Sequence, residues 1–257
     1  MVFSEQLLAT AITILIAFLL VLYAYLKRKI NSSAFIGTLM LGVIVMLSLG
    51  LEYGYAGMIA LLTFFLFGNL VTKYKYDKKE MLGVAEGRKG MRDINNVLGN
   101  GLSPLIFALL FAVSSQSYNT ILLLGFSGSV ATACADTFST EIGQANASPR
   151  LITNFKKVPV GTNGGVSLPG LGAALLGSGL IALVCLTFTD FYARAPICFT
   201  ICFLSGFLGC LVDSLLGATV EDKHFYKFRL NKHGVNILAT LFGGIFAVSF
   251  GWWCFGI

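Results

Sequence analysis

The sequence predicts an all-α integral membrane protein with about eight transmembrane helices in one bundle. Of its 257 residues, 56% are hydrophobic and only 12% are charged, and the mean hydropathy is +0.81. Soluble domains rarely have such a composition. Apolar segments near the roughly 20 residues that a bilayer core requires also recur along the chain. The predicted spans are Leu7–Leu26, Ala34–Leu51, Ala56–Thr72, Asn95–Ser114, Tyr118–Thr137, Leu168–Phe188, Pro196–Leu216 and Val235–Phe255.

The distribution of positive charge predicts the orientation of these spans. Seventeen of the 18 Lys and Arg residues fall in alternate gaps between the spans, and only Arg194 falls in one of the other gaps. Short loops rich in Lys and Arg stay in the cytoplasm, so we expect both termini outside. No gap is long enough for a separate soluble domain, so we expect one membrane domain over residues 1–257. The net charge of +6 then reflects topology and anionic lipid, and we expect no nucleic-acid partner.

Two aspartates near the cytoplasmic ends of spans are candidate metal ligands. A G-F-x-G sequence precedes both Asp136 and Asp213, and a glutamate follows each, Glu141 in one case and Glu221 in the other. Helical spacing puts each aspartate on a stripe of small residues, which allows the two helices to approach closely. Close carboxylates repel unless a cation lies between them, and Mg²⁺ prefers oxygen ligands. We therefore predict a metal site formed by these four residues, with Glu141 included only if its helix ends or bends. The alternative is pairing of the aspartates with arginine or hydrogen bonding across helices.

A stripe of cations and amides enters the fourth span. Arg88, Arg92, Asn96 and Asn100 recur at every fourth position, and Lys89 lies beside them. Guanidinium groups match phosphate oxygens, so these residues are candidates for binding a substrate phosphate or a nucleotide. Asn236 begins a segment of the last span that is similar to the segment beginning at Asn96, so it is a further candidate for binding a phosphate or a nucleotide. The alternative, a topological anchor with asparagine caps, explains Asn96 and Asn100 poorly.

The fifth gap contains a glycine-rich segment that is a candidate phosphate loop. Backbone N–H groups in such a segment can converge on an anion, and the start of the next helix adds its dipole. The candidate ligands are Gly161, Thr162, Asn163, Gly164 and Gly165. Lys157 is the candidate catalytic cation, and Thr140 a further phosphate ligand. The segment is not a Walker loop, and the alternative is a simple turn into the next span.

Four motifs, in this order along residues 88–236, resemble those of a family of polytopic membrane proteins. They read R-K-x-M-R-D-x-x-N-V, D-T-x-S-T-E-I-G, V-P-x-G-T-N-G-G-V-S and D-S-x-L-G-A-x-x-E. The family contains transmembrane protein 19 and the chloroplast phytyl-phosphate kinase of vitamin E synthesis. The resemblance implies an isoprenoid-phosphate kinase that converts a phytyl- or geranylgeranyl-type monophosphate to the diphosphate. CTP or ATP would be the donor and Mg²⁺ the cofactor. The first three spans carry no matching motif.

Two other functions remain compatible with the motifs. A CTP-dependent lipid-phosphate cytidylyltransferase also needs paired aspartates, Mg²⁺ and cationic clamps. A membrane transporter also uses glycine-broken helices and intramembrane acids. We favour an enzyme over a transporter because the outer half of the protein is almost free of motifs. The sequence does not separate the kinase from the cytidylyltransferase chemically, and the kinase is what the resemblance implies. A prenyl monophosphate acceptor would need no general base, which is consistent with the absence of a well-placed histidine. The expected location is a prokaryotic cell membrane, or a thylakoid-type membrane if the source is photosynthetic, with the active face in the cytoplasm.

Overall fold

Long apolar helices account for most of the chain in the computed structural model. The structure describes residues 2–85, 90–146, 148–222, 224–225 and 228–256. Seven helices in these residues are long and apolar enough to cross a membrane. In chain order they are α1 (Val2–Leu26), α2 (Ser32–Lys73), α4 (Ile94–Val113), α5 (Asn119–Asn146), α6 (Leu168–Cys185), α7 (Ala195–Thr219) and α8 (Lys232–Phe255), with the short helix α3 (Tyr76–Met81) between α2 and α4.

The second of these helices is a hairpin that supplies two spans. A straight helix of its 42 residues would be about 63 Å long, twice the thickness of a bilayer core. The helix breaks at Gly50, whose φ of 70° and ψ of −177° are not helical. A Cβ placed on Gly54 would lie 2.8 Å from the carbonyl oxygen of Met46, and one on Gly42 would lie 3.3 Å from Met58. Two antiparallel halves, α2N (residues 32–49) and α2C (residues 51–73), therefore pack tightly. The prediction of about eight helices in one bundle is confirmed, although a turn at Gly50 replaces the predicted gap at residues 52–55.

The gaps rich in Lys and Arg meet at one end of the bundle, which we call the charged end. The first and third gaps pair through their backbones, because the N–H of Arg92 donates to the carbonyl oxygen of Lys29 at 2.9 Å. The third and fifth gaps meet where Val84 lies against Gly161. Alternate connections therefore cluster as the charge pattern predicts.

The remaining connections meet at the opposite end. The Tyr53 hydroxyl, just after the α2 turn, donates to Asp190 at 2.6 Å, and the Thr120 hydroxyl at the start of α5 donates to the other oxygen of the same carboxylate at 3.1 Å. Tyr118 stacks on Trp252 of α8. The Asp190 carboxylate thus joins three connections at this end.

Helix α5 is the central helix of the bundle. In its most apolar stretch 83% of the residues are buried, against 22–44% in the other candidate spans. Its buried apolar side chains share one core cluster with residues of α2, α4, α6, α7 and α8. An aspartate near the charged end of α5 is therefore surrounded by protein and does not face lipid.

Short irregular elements complete the connections. Two 3₁₀ turns, Gln116–Tyr118 and Thr189–Arg194, lie at the opposite end, before α5 and α7. Strands β1 (Arg150–Leu151) and β2 (Gly165–Val166) pair antiparallel in the fifth gap, as do β3 (His224–Phe225) and β4 (Phe228–Arg229) in the seventh. Both strand pairs belong to the charged end.

Candidate active site

Asp136 of α5 and Asp213 of α7 come together in a cavity of about 310 Å³ at the charged end. Both helices run toward that end, so aspartates a similar distance from it arrive at a similar depth. The two carboxyl groups are close enough to interact directly. The two aspartates are 77 residues apart in the sequence, so their separation along the chain does not require them to meet. They meet because the stripes of small residues allow α5 and α7 to approach closely.

Glycines make this approach of the two helices possible. A Cβ on Gly209 would lie 2.3 Å from the Thr132 hydroxyl oxygen, and one on Gly206 would lie 2.9 Å from the Cβ of Ala131. The Thr132 hydroxyl contacts two carbonyl oxygens, that of Gly128 in its own helix at 2.9 Å and that of Ser205 in α7 at 3.1 Å. A side chain larger than hydrogen at Gly206 or Gly209 would push α5 and α7 apart and separate the two aspartates.

The donor set around the aspartates fits a hard cation. Asp213 Oδ2 is buried and has no hydrogen-bond partner among the described residues. A buried carboxylate oxygen without a partner is costly unless a cation or water satisfies it. The described residues contain no cluster of three His, Cys, Asp or Glu side chains around one point. Two carboxylates completed by water and phosphate oxygens are the usual Mg²⁺ ligand set.

The glycine-rich segment of the fifth gap forms one wall of the same cavity. Gly161 and Gly164 have φ values of 87° and 75°, a conformation that side chains disfavour. A Cβ on Gly164 would lie 2.6 Å from the carbonyl oxygen of Ser214, so the segment packs directly on α7 beside Asp213. All five candidate residues, Gly161, Thr162, Asn163, Gly164 and Gly165, line the cavity. The segment therefore lies directly beside the aspartate pair.

Among the residues that the structure describes, the lysine near the aspartates is Lys232 and not Lys157. Lys157 is exposed on the connection between β1 and β2 and is not among the residues that line the cavity. Lys232 lies at the first turn of α8, lines the cavity, and interacts electrostatically with both aspartates. The sequence contained a signal for it, because Lys232 and Asn236 are four residues apart and share one helix face. From the sequence alone, Lys232 counts only among the charges that set the topology.

The predicted stripe at the start of α4 reaches the aspartates through a second, smaller cavity of about 40 Å³. Arg92, Asn96, Asn100 and Asn236 line it together with Asp136, and Thr140 lines both cavities. Asn236 donates to the side-chain oxygen of Asn100 at 3.4 Å, which joins α8 to α4. The similar sequences around Asn100 and Asn236 are therefore in contact with each other.

Asn96 also has a structural role that we had discounted. Its side-chain oxygen accepts from the backbone N–H of Asp93 at 3.1 Å, and Asp93 accepts from the N–H of Asn96, so the two form a capping box. The Arg92 guanidinium lies where Gly68 leaves room and donates to the Thr72 hydroxyl at 3.3 Å. The helix start therefore fixes the position of Arg92. Arg88 and Lys89 lie outside the described residues.

Glu141 forms an ion pair with Lys79. Lys79, on α3, is fully buried, and its ammonium group donates to Glu141 Oε2 and, at 2.8 Å, to the carbonyl oxygen of Thr72. Helix α5 continues to Asn146 without the bend that a shared metal site required. The Glu141 carboxylate pairs with α3, although Glu141 also lines the small cavity with Asp136. This pairing was not expected from the sequence.

Glu221 lies at the rim of the large cavity. It follows the end of α7 and lines the cavity that contains both aspartates. Burial, followed by the negative charge of Asp222, raises the pKa of the Glu221 carboxyl above its usual value of 4.5. A carboxylate that loses solvation in this way gains from any cation nearby. Glu221 thus lines the same cavity but does not gather with both aspartates around one point.

A comparison with protein-family models identifies the family. Residues 15–244 match the family described as integral membrane protein DUF92. The chain belongs to this family. That assignment covers every described residue of the two cavities and agrees with the family expected from the four motifs.

Curated relatives of this chain come from archaea, plants and cyanobacteria. An uncharacterized membrane protein of Methanocaldococcus jannaschii is 37% identical, and the alignment covers 95% of each chain. The chloroplastic protein VTE6 of Arabidopsis thaliana is 36% identical over 76% of this chain and 59% of its own length. An uncharacterized membrane protein of Synechocystis is 32% identical over 92% of this chain and 88% of its own. No solved structure matches the chain. The protein is thus an integral, multi-pass member of a family with prokaryotic and chloroplast members.

Proposed function

We propose that the protein is a prenyl-phosphate kinase, which transfers the terminal phosphoryl group of a nucleoside triphosphate to a prenyl monophosphate. The observation that carries the proposal is the cavity at the charged end. There, the unpartnered buried oxygen of Asp213 lies with Asp136, Lys232 and a glycine-rich wall. Phosphoryl transfer depends on positioning and charge neutralisation, and these groups supply both.

Asp136 and Asp213 would hold a Mg²⁺ ion, with Glu221 at the rim. The bound ion would offset the negative charge of the phosphates, which is the chemistry that paired carboxylates commonly support. Glu141 is left out of this ligand set because Lys79 already neutralises it.

Each remaining group has a place in the reaction. The Gly161–Gly165 segment would contact the nucleotide phosphates through its backbone, and the Lys232 ammonium would neutralise charge that develops on the transferred group. An oxygen of the acceptor phosphate attacks the γ-phosphorus, and the bond from that phosphorus to the β,γ-bridging oxygen breaks. The nucleoside diphosphate leaves with the bond electrons. Because the acceptor is already ionised, no side chain has to remove a proton.

The acceptor phosphate would lie in the small cavity. Arg92 supplies a guanidinium fork, and the amides of Asn96, Asn100 and Asn236 supply further donors. This cavity shares Asp136 and Lys232 with the large one. The two phosphates would therefore meet between α5 and α8.

A product analysis of the purified protein tests the proposal. Protein in detergent would be given geranylgeranyl monophosphate, Mg²⁺ and each nucleoside triphosphate in turn, and the lipid products would be identified by mass. We expect the prenyl diphosphate, and no product from free geranylgeraniol. A nucleotide-linked lipid with release of pyrophosphate would instead establish the cytidylyltransferase alternative. Uptake of the monophosphate into proteoliposomes without any chemical change would establish a transporter.

A further inference from the structure

An apolar groove runs along the first three spans, which carry none of the family motifs. It consists of two cavities. The upper one, of about 80 Å³, lies nearer the charged end, and the lower one, of about 410 Å³, lies nearer the turn at Gly50. The two cavities share four lining residues, Thr38, Leu41, Leu61 and Phe65, so they adjoin each other. We call this the tail groove.

The upper end of the tail groove opens onto the small polar cavity. Arg92, Asn96 and Asn100 line both the upper apolar cavity and the polar cavity that contains Asp136. The lining therefore changes from Asp136, past a guanidinium and two amides, to a channel of mainly apolar side chains with Thr38 at its junction. This sequence of surfaces matches a molecule with an anionic head and a long apolar chain.

The lower end of the tail groove lies near the α2 turn. Met46, Leu47 and Met58 line it there, a few residues from Gly50. Ile30, just before α2, lines the upper end of the groove. From the start of α2 at Ser32 to Met46 the helix makes 14 steps, which span about 21 Å at 1.5 Å per helical residue. An extended isoprene unit adds about 5 Å, since it contributes four chain carbons with bonds of about 1.5 Å. The groove length therefore corresponds to about four isoprene units.

We propose that the tail groove binds the prenyl chain of the acceptor and limits that chain to about four isoprene units. The proposal rests on the proposed function and adds to it the part of the protein that selects the substrate. The narrow upper cavity of about 80 Å³ admits one chain, whereas a bilayer phospholipid carries two. Exposed residues such as Ile14, Val43 and Leu47 border the lower cavity, so a chain enters from the surrounding lipid.

Two substitutions should shorten the groove by different amounts. Thr38→Phe would fill the junction between the cavities, and Gly42→Phe would fill the groove one helical turn lower. A Cβ at position 42 first meets the flexible end of Met58, at 3.3 Å, so the new side chain would have to displace the Met58 side chain, which itself lines the groove. Gly172→Phe is the matched control, because Gly172 is an exposed glycine of α6 with nothing within 4 Å of its Cβ position.

The readout is the kcat/KM for prenyl monophosphates of two, three and four isoprene units. We expect Thr38→Phe to raise the preference for the two-unit over the four-unit acceptor by at least about tenfold, since a pocket contact of this size is worth that much. Gly42→Phe should keep the three-unit acceptor and discriminate only against the four-unit one. Gly172→Phe should keep the wild-type preference. An unchanged preference in both groove variants would overturn the proposal.

A photolabelling experiment tests the groove without relying on turnover. The probe is a geranylgeranyl monophosphate analogue with a diazirine at the end of its chain, and the adducts are mapped by mass spectrometry. Adducts at Met46, Leu47 or Met58 that unlabelled geranylgeranyl monophosphate competes away would support the proposal, even if no diphosphate forms. Adducts spread over the lipid-facing surfaces of α6 and α7, without competition, would overturn it.

Discussion

The Lys79 ammonium and the Glu141 carboxylate form an ion pair inside the protein, and no surface of Lys79 is exposed. The pair joins α3 to the charged end of α5, one turn beyond Asp136. It fixes the short helix over the polar cavities and neutralises a carboxylate that would otherwise repel the aspartates. Loss of either partner leaves the other charge buried and uncompensated.

The first prediction follows from this burial. Lys79→Met should lower the free energy of unfolding by about 3–5 kcal/mol, because the Glu141 carboxylate remains buried without its cation. The Lys79→Met/Glu141→Gln double variant should recover most of that loss. Thermal unfolding in detergent can be followed with a thiol-reactive dye, since five of the six cysteines are buried. Lys78→Met, on the exposed face of the same helix, is the control and should stay within about 0.5 kcal/mol of wild type. Additive single effects in the double variant would contradict direct pairing.

The second prediction concerns Asp136 and Asp213. Asp136→Asn and Asp213→Asn should each reduce kcat at least about 1,000-fold, since a lost metal ligand removes several kcal/mol and each 1.4 kcal/mol is tenfold. Both variants should fold, because Asn keeps the shape of the side chain and removes the repulsion between the carboxylates.

A binding measurement separates the metal role from a structural one. Mg²⁺ should raise the melting temperature of the wild-type protein, since a ligand that binds only the folded state stabilises it. The same addition should leave the melting temperature of Asp213→Asn unchanged. An equal Mg²⁺ effect in both proteins would refute the ligand role of Asp213.

The third prediction distinguishes the two candidate lysines. Lys232→Ala should lower kcat by about 100-fold, as expected when a cation that stabilises the transferring phosphoryl group is removed. Lys157→Ala should change kcat less than about threefold, because the exposed Lys157 side chain does not line the cavity and its charge is screened by solvent. The two variants remove the same charge from the same end of the protein. A larger loss of kcat for Lys157→Ala than for Lys232→Ala would restore the role that the sequence suggested for Lys157.

The fourth prediction concerns Arg92 and the acceptor. Arg92→Ala should raise the KM for the prenyl monophosphate by about tenfold or more, the value of a charge-assisted hydrogen bond, and should change the KM for the nucleotide much less. Steady-state kinetics with each substrate varied in turn gives both constants. Arg150→Ala is the control, because Arg150 is exposed and its guanidinium donates to the carbonyl oxygen of Phe155. A defect confined to the nucleotide would place Arg92 on the donor side.

The fifth prediction is a pH dependence caused by Glu221. Burial raises the pKa of its carboxyl in the folded protein above 4.5, so folding favours the protonated form. The stabilising contribution is therefore complete below pH 4.5 and is lost as the pH rises through the raised pKa. Without Mg²⁺, the melting temperature of Glu221→Gln should equal that of wild type in acid and exceed it at pH 8. Parallel melting curves for the two proteins across this range would show that burial of Glu221 has no thermodynamic effect.

Charge and hydropathy in the sequence predicted the spans and the end at which the polar residues gather, because both are set by the bilayer. The meeting of Asp136 with Asp213 was also predictable, since each lies on a stripe of small residues in helices that run the same way. The Lys79–Glu141 pair was not, because its partners are 62 residues apart and Lys79 lies in a cluster of lysines that topology alone explains. Lys232 was missed for the same reason. The tail groove gave no signal, since apolar residues that line a groove have the same composition as those that face lipid.

The turn at Gly50 determines how the second and third spans enter the membrane. Its φ of 70° with ψ of −177° lies in a region open essentially only to glycine. A single residue separates the two helical halves, so no hydrophilic loop stands between them to be translocated in a separate step. We therefore expect α2N and α2C to be inserted during synthesis as one preformed helical hairpin, with tight glycine contacts along its length. Biogenesis of the protein would then depend on a residue that lies at the opposite end of the bundle from its chemistry.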